Sequence, residues 1–207
     1  NVLRNKILAT LPFDLTGAQK RVINEIDEDM QSPLRMLRLI QGDVGSGKTI
    51  VAAIAMMNVI ENGAQAAIMA PTEILARQHA ESFAPWLEAT GIKAVTLTGR
   101  NKGKEREALL EEITSGSAQV IIGTHSLFQD SIEFKDLGLA VIDEQHRFGV
   151  HQRLELSSKG KGTDVLVMTA TPIPRTLTLT AYGDMEVSRI DEKPPGRKPI
   201  DTLLLPK

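Results

Sequence analysis

Two short stretches hold residue types that could act together on a phosphate. The first is QGDVGSGKT (41–49), where Gly42, four residues and then Gly47-Lys48-Thr49 lie between a strand-like and a helix-like run. Gly42, Gly45 and Gly47 allow a tight turn, so that the N–H groups of Asp43, Val44 and Ser46 and their neighbours aim inward at phosphate oxygens. A helix opening at Thr49 adds the positive end of its dipole. Lys48 is a point charge for β- and γ-phosphates, and the Thr49 hydroxyl is a ligand for Mg²⁺. The second stretch is LAVIDEQHRFGV (139–150), where Asp143, Glu144, Gln145, His146 and Arg147 follow four apolar residues. Four apolar residues in a row read as a strand buried on both faces, and open α/β sheets bind ligands at the carboxyl ends of such strands. Alone, the charged residues are equally well a solvated turn. Beside a phosphate loop they become a metal and base site. Asp143 holds Mg²⁺, directly or through its shell, and Glu144, one residue on, orients and deprotonates a water. The expected chemistry is hydrolysis of a phosphoanhydride, with ATP and Mg²⁺ as cofactors.

These residues need a scaffold that brings strand ends together. Strand-like runs occur at 36–40, 66–70, 93–97, 118–123, 139–142 and 165–169, and helical patterns at 49–61, 73–88 and 104–114. Strands alternating with helices imply right-handed crossovers and a mostly parallel sheet. The expected fold class is α/β, a three-layer P-loop sheet with helices on both faces. Residues 157–164 read as a flexible loop, and 191–199, rich in proline, glycine and charge, as a linker. The expected division is one nucleotide-binding domain over 1–193 and a linker over 194–207. The first residue, Asn1, and the ending TLLLPK read as the ends of a piece cut from something longer.

Composition removes several function classes. A chain of 207 residues can bury a sizeable core, and the absence of cysteine excludes disulfides and thiolate chemistry. No apolar run approaches the ~20 residues of a membrane helix. The net charge of −2 gives no global pull towards nucleic acid, so any such contact needs a local patch. With one Trp, one Tyr and five Phe there is little to stack single-stranded bases on, which favours a duplex backbone. His79 and His151 show no metal-ligand partners, and no zinc site is expected.

Asp143-Glu144-Gln145-His146 has the form D-E-x-H, and here the chain resembles superfamily 2 helicases and translocases. PFDLTGAQ (12–19) resembles the segment upstream of their phosphate loop, which implies Gln19 at the adenine edge and Phe13 packing near the base. APTEILARQH (70–79), LTGR (97–100), IIGTHSLF (121–128) and TATPIPRTL (169–177) are similar to motifs Ia, Ib, Ic and III. The longer strings QGDVGSGKT, GTHSLFQD, DEQHRFGVHQR and YGDMEVSRIDEKPPGR resemble the RecG family of branch-migration helicases. The runner-up is the transcription–repair coupling translocase, which typically has Glu in place of Gln145 and a bulkier residue than Ser46.

The resemblance implies the first of two RecA-like lobes of a monomeric, cytoplasmic, bacterial motor that remodels forked or branched duplex DNA in recombination and repair. A second lobe with its arginine finger and a wedge domain would lie elsewhere, so this piece alone should be nearly inert. It also implies that Gln145, His146, Thr169 and Thr171 couple nucleotide state to DNA. Strand 165–169 should stand between 36–40 and 139–142. Candidate DNA contacts are Thr72, Arg77, Thr98, Gly99, Arg100, Thr124 and His125, on loops after strands, where hydroxyls, amides and arginines suit phosphates. Thr72 is equally an N-cap, and the basic cluster 98–106 equally a solvated helix start. A different class of function is a nucleotide-dependent switch or binding module, for which a base beside the metal carboxylate would have no use.

Overall fold

The computed structural model describes residues 1–129, 131–144, 162–171 and 185–192. Along the chain lie α1 (Val2–Thr10), α2 (Gly17–Gln31), β1 (Leu37–Gly42), α3 (Lys48–Glu61), β2 (Gln65–Met69), α4 (Glu73–Thr90) and β3 (Ala94–Leu97). Then come α5 (Gly103–Ser115), β4 (Val120–Gly123), a short 3₁₀ turn (His125–Phe128), β5 (Leu137–Glu144), β6 (Asp164–Thr169) and β7 (Glu186–Ile190). The strands form one sheet in the order β3-β4-β2-β5-β6-β1-β7, and each pairing among the described residues is parallel.

Strand periodicity builds the layers. Side chains alternate between faces along a strand, so Ala66 and Ile68 of β2 join one apolar cluster while Ala67 and Met69 join the other. β5 divides the same way, with Leu139 and Val141 on one side and Ala140 and Ile142 on the opposite side. The first cluster packs beneath α1 to α4, the second beneath α5 and the 3₁₀ turn. α3 is buried along most of its surface, from Ile50 to Ile60, as expected of a helix that is apolar all round. The arrangement is a RecA-like three-layer α/β fold.

Because the strands are parallel, their carboxyl ends share one edge. The phosphate loop follows β1, Asp143 and Glu144 end β5, and Thr169 ends β6. The segments beginning at Thr72, Thr98 and Thr124 leave β2, β3 and β4 at that same edge. β6 lies between β1 and β5, with Thr169 paired to Gln41 on one side and Glu144 on the other. The strand order expected from the resemblance holds. In the register itself Asp143 faces Met168, one position before Thr169.

Other expectations need correction. β1 runs through Gln41 to Gly42, so the first glycine of the loop is still paired in the sheet, to Ile190. Of the expected 157–164 loop, 157–161 lie outside the described residues, and its end is ordered differently from the expectation. Thr163 is buried, with its hydroxyl donating to the Leu137 carbonyl at 2.9 Å, and Asp164 opens β6. The Asp164 carboxylate accepts the Met36 N–H at 2.8 Å, and burial raises its pKa above the usual aspartate range.

The elements expected from sequence did not include β7, α1 or α2, although α2 buries Ala18, Val22, Ile23 and Ile26 at helical spacing. β7 is an edge strand whose outer positions carry Glu186, Val187 and Arg189, so it lacks an apolar run. Arg38 in β1 holds it to α2. The guanidinium donates to Ser188 Oγ at 2.8 Å and to Asp29 Oδ2 at 2.7 Å. Arg21 adds a hydrogen bond to the Arg189 carbonyl at 2.7 Å and an ion pair with Asp191 at 3.5 Å. The start of the expected linker is therefore tied down, and 193–207 lie outside the described residues. Among the described residues no helix is long and apolar enough to cross a membrane.

Candidate nucleotide site

The phosphate loop has the backbone its glycines predict. Gly45 and Gly47 have φ of 79° and 87°, and Gly47 is the left-handed N-cap of α3. The Ser46 N–H donates to the Asp43 carbonyl at 3.0 Å, closing the turn. Asp43, Val44 and Gly45 face solvent. Ser46 is buried, and its Oγ has no hydrogen-bond partner among the described residues. Lys48 Nζ bonds back onto the carbonyls of Gly42 and Asp43, at 2.9 Å for Asp43. Burial lowers its pKa below the usual lysine range, opposed by the Asp143 and Asp43 carboxylates. An unpartnered hydroxyl, a cation parked on loop carbonyls and a glycine-lined turn at a helix N-terminus fit the phosphates of a nucleotide. Thr49, half-buried in the first turn of α3, and Asp143 offer the hard oxygen donors that Mg²⁺ takes.

Gln19 is the support beneath the loop. A lone glutamine on a helix is usually at the surface, yet this one is 1% exposed. Its Oε1 accepts the Thr16 N–H at 2.9 Å, and the Thr16 hydroxyl accepts the Gln19 N–H at 3.2 Å, a capping box that starts α2. Its Nε2 donates to the Ser46 carbonyl at 2.9 Å. Gln19 thus binds α2 to the phosphate loop. Phe13 stands in the connection before α2 and is 44% exposed.

These contacts leave no room for a side chain at Gly47. A Cβ there would lie 2.1 Å from Gln19 Nε2, on a backbone whose φ of +87° L residues rarely adopt. A Cβ at Gly42 would come within 2.5 Å of Ser46 Oγ. Gly47→Ala is expected to lower stability by about 1–2 kcal/mol from the left-handed backbone alone. Displacing Gln19 should also weaken nucleotide binding. Thermal melting and titration with a fluorescent nucleotide would check this. Unchanged values in both would show that the loop tolerates the methyl group.

Asp143 has a partner that sequence reasoning missed. His79 Nε2 in α4 lies 2.6 Å from Asp143 Oδ2, across 64 residues of chain. The sequence shows no partner for His79; the fold places it on the proposed metal carboxylate. The one available signal was its position seven residues after the Thr72 cap, two helical turns along the same face. Thr169 is 4% exposed, its Oγ1 accepts the Thr171 N–H at 3.1 Å, and the Thr171 carbonyl accepts from Gln41 Nε2 at 3.3 Å. Gln41 thus joins the strand before the phosphate loop to Thr171. Gln145 and His146 lie outside the described residues, as do Arg147, His151 and Arg175.

The candidate DNA contacts share the carboxyl edge but differ in freedom. The Thr72 hydroxyl accepts the Leu75 N–H at 3.3 Å and caps α4. Thr98 is 6% exposed, and its N–H donates to Asn101 Oδ1 at 2.8 Å. Arg100 pairs with Glu73 Oε2 at 2.9 Å, close beside Gly99, so the basic cluster at 98–106 is partly neutralised. Arg77, Thr98 and Arg100 line a groove of about 480 Å³ between α4 and the loop after β3. Thr124 begins the 3₁₀ turn, and His125 in that turn is exposed.

A domain family described as DEAD/DEAH box helicase matches residues 16–180. The chain belongs to the DEAD/DEAH box helicase family. Within that family it is similar to the ATP-dependent DNA helicase RecG of Pasteurella multocida, at 56% identity over 98% of this chain and 30% of the relative. RecG of Bacillus subtilis is 56% identical over 95% of this chain and 29% of its own length. The solved structure of RecG bound to a three-way DNA junction superposes with a TM-score of 0.82 at 46% identity, over 95% of this chain and 26% of that one. The chain spans about 30% of the length of these curated relatives.

Proposed function

We propose that this chain is the ATP-binding lobe of a DNA helicase that couples ATP hydrolysis to branch migration and fork remodelling in recombination and repair. Residues 1–193 are the first motor lobe and 194–207 lead towards a second. The observation that carries the reading is that the phosphate loop after β1 and Asp143 at the end of β5 share one carboxyl edge, with β6 alone between the two strands. The relatives named RecG, one of them solved on a three-way junction, support forked DNA as partner.

ATP with Mg²⁺ brings the phosphoanhydride and neutralises its charge. The loop from Gly42 to Ser46 aims N–H groups at the phosphates, and Lys48 supplies a cation for them. Thr49 and Asp143 hold the metal. Glu144, the next strand position, orients the water and takes its proton. Thr169 and Thr171, between the β1 and β5 ends, pass the nucleotide state onward with Gln145 and His146. Thr72, Arg77, Thr98, Gly99, Arg100, Thr124 and His125 grip DNA phosphates, which carries the duplex without reading its sequence. The motor acts as a monomer in the bacterial cytoplasm.

In the full-length protein, forked DNA is expected to raise ATP turnover well above linear duplex of equal length. Steady-state phosphate release with each DNA checks it. Equal stimulation by plain duplex would favour the double-stranded translocase of transcription-coupled repair. No stimulation by any DNA would favour the nucleotide switch. Contacts to phosphate release counterions, so the stimulation should fall steeply as salt rises.

A further inference from the structure

The His79–Asp143 contact is not needed by any step above, yet it is built with care. An ionised carboxylate can only accept, so the imidazole donates its Nε2–H, which the neutral ring can do. His79 is 8% exposed. Its ring lies 6.0 Å from that of Phe83, tilted by 51°, and Phe83 lies 5.4 Å from Trp86. The imidazole is therefore oriented by other residues of α4. Asp143 Oδ2 is the oxygen it holds, which leaves Oδ1 for a metal shell.

The same helix begins at the DNA edge. Thr72 caps it, Glu73 pairs with Arg100 from the loop after β3, and Arg77 lines the groove beside that loop. From Thr72 to His79 is about 10 Å along a helix axis. One rigid element thus has the proposed DNA contacts at its start and the proposed metal carboxylate two turns later.

We propose that His79 is a positioning residue that sets the Asp143 carboxylate for the metal and makes α4 the lever by which DNA contact at Thr72 and Arg77 tunes metal-nucleotide binding. The proposal rests on Asp143 as metal holder and on the start of α4 as a DNA contact. Partners that orient a metal ligand typically affect metal affinity by about 10–100-fold. The hydrogen bond, not the bulk of the side chain, carries the effect.

The test uses the full-length protein with His79→Leu and His79→Gln. Both fill the space beside Phe83, but only glutamine keeps a donor that can reach Oδ2. The readout is the Mg²⁺ concentration that half-saturates binding of a fluorescent ADP analogue, with and without forked DNA, beside binding in EDTA. His79→Leu is expected to raise half-saturation by about 10–100-fold, to leave binding in EDTA unchanged and to lose the shift that DNA produces in the wild type. His79→Gln should recover most of both. Asp143→Asn separates the premise from the proposal. If it leaves the Mg²⁺ dependence intact, the metal-holder reading fails first. If it abolishes that dependence while His79→Leu behaves as wild type, or while leucine and glutamine are equally impaired, the role of His79 is overturned on its own.

Discussion

Glu144→Gln in the full-length protein is expected to lower ATP hydrolysis by about 10²–10⁴-fold, the contribution of a positioned general base, while Mg-ATP binding stays near normal. Asp143 and Glu144 are consecutive positions at the end of one strand, and their proposed tasks are separable. The substitution removes a proton acceptor but leaves the charge of Asp143 and its contact to His79 in place. Lys48→Ala is the contrasting change. It deletes the cation held at the loop carbonyls and should weaken nucleotide binding itself. Single-turnover hydrolysis and equilibrium binding, measured on the same preparations, distinguish the two. Near wild-type turnover in the Glu144→Gln variant would rule out the general-base role.

The 207-residue chain by itself is expected to hydrolyse ATP about 10³–10⁵-fold more slowly than the full-length protein, the range an arginine finger supplies in phosphoryl transfer. At about 1.36 kcal/mol per tenfold this is roughly 4–7 kcal/mol of transition-state stabilisation. The resemblance places that arginine in a second lobe, with Arg147 and Arg175 serving motifs of this one. The exposed loop agrees: Asp43, Val44 and Gly45 face solvent at the open edge of the sheet. Charges act most strongly on a transition state in a closed site from which water is excluded. Weak ADP and ATP binding should remain, because the loop, Lys48, Thr49 and Asp143 all belong to this lobe. Phosphate release by the chain with and without forked DNA, on material shown to be folded by circular dichroism, is the measurement. Robust DNA-stimulated turnover would show that one lobe suffices.

The loop geometry on which the proposed nucleotide site rests was legible because its groups are contiguous. A phosphate cradle is made of successive backbone N–H groups, so Gly42 to Thr49 carry their own geometry wherever the strand before them ends. The same holds for Asp143 and Glu144 at the end of a buried strand. Five of the strands announced themselves through largely apolar runs, since a strand covered on both faces is mostly apolar on both. β3, at the sheet edge, did so through the alternation of buried Val95 and Leu97 with half-buried Ala94 and Thr96. The alternation of these strands with helices implied a parallel sheet. The strand order came from the resemblance, because periodicity says which residues form a strand but nothing of its neighbours.

Tertiary structure decided what depends on those neighbours. β7 has no apolar run of its own and is held at the edge by Arg38 and Arg21, residues far away in the chain. Gln19 reads as an ordinary surface residue until α2 packs beneath the loop and buries its amide between Thr16 and Ser46. His79 meets Asp143 only because β2, which leads into α4, lies next to β5 in the sheet. The pattern of residues along the chain determined the chemistry of each loop, where the interacting groups are a few bonds apart. The fold decided which loops meet, since a hydrogen bond between residues 64 positions apart is set by strand order and helix packing.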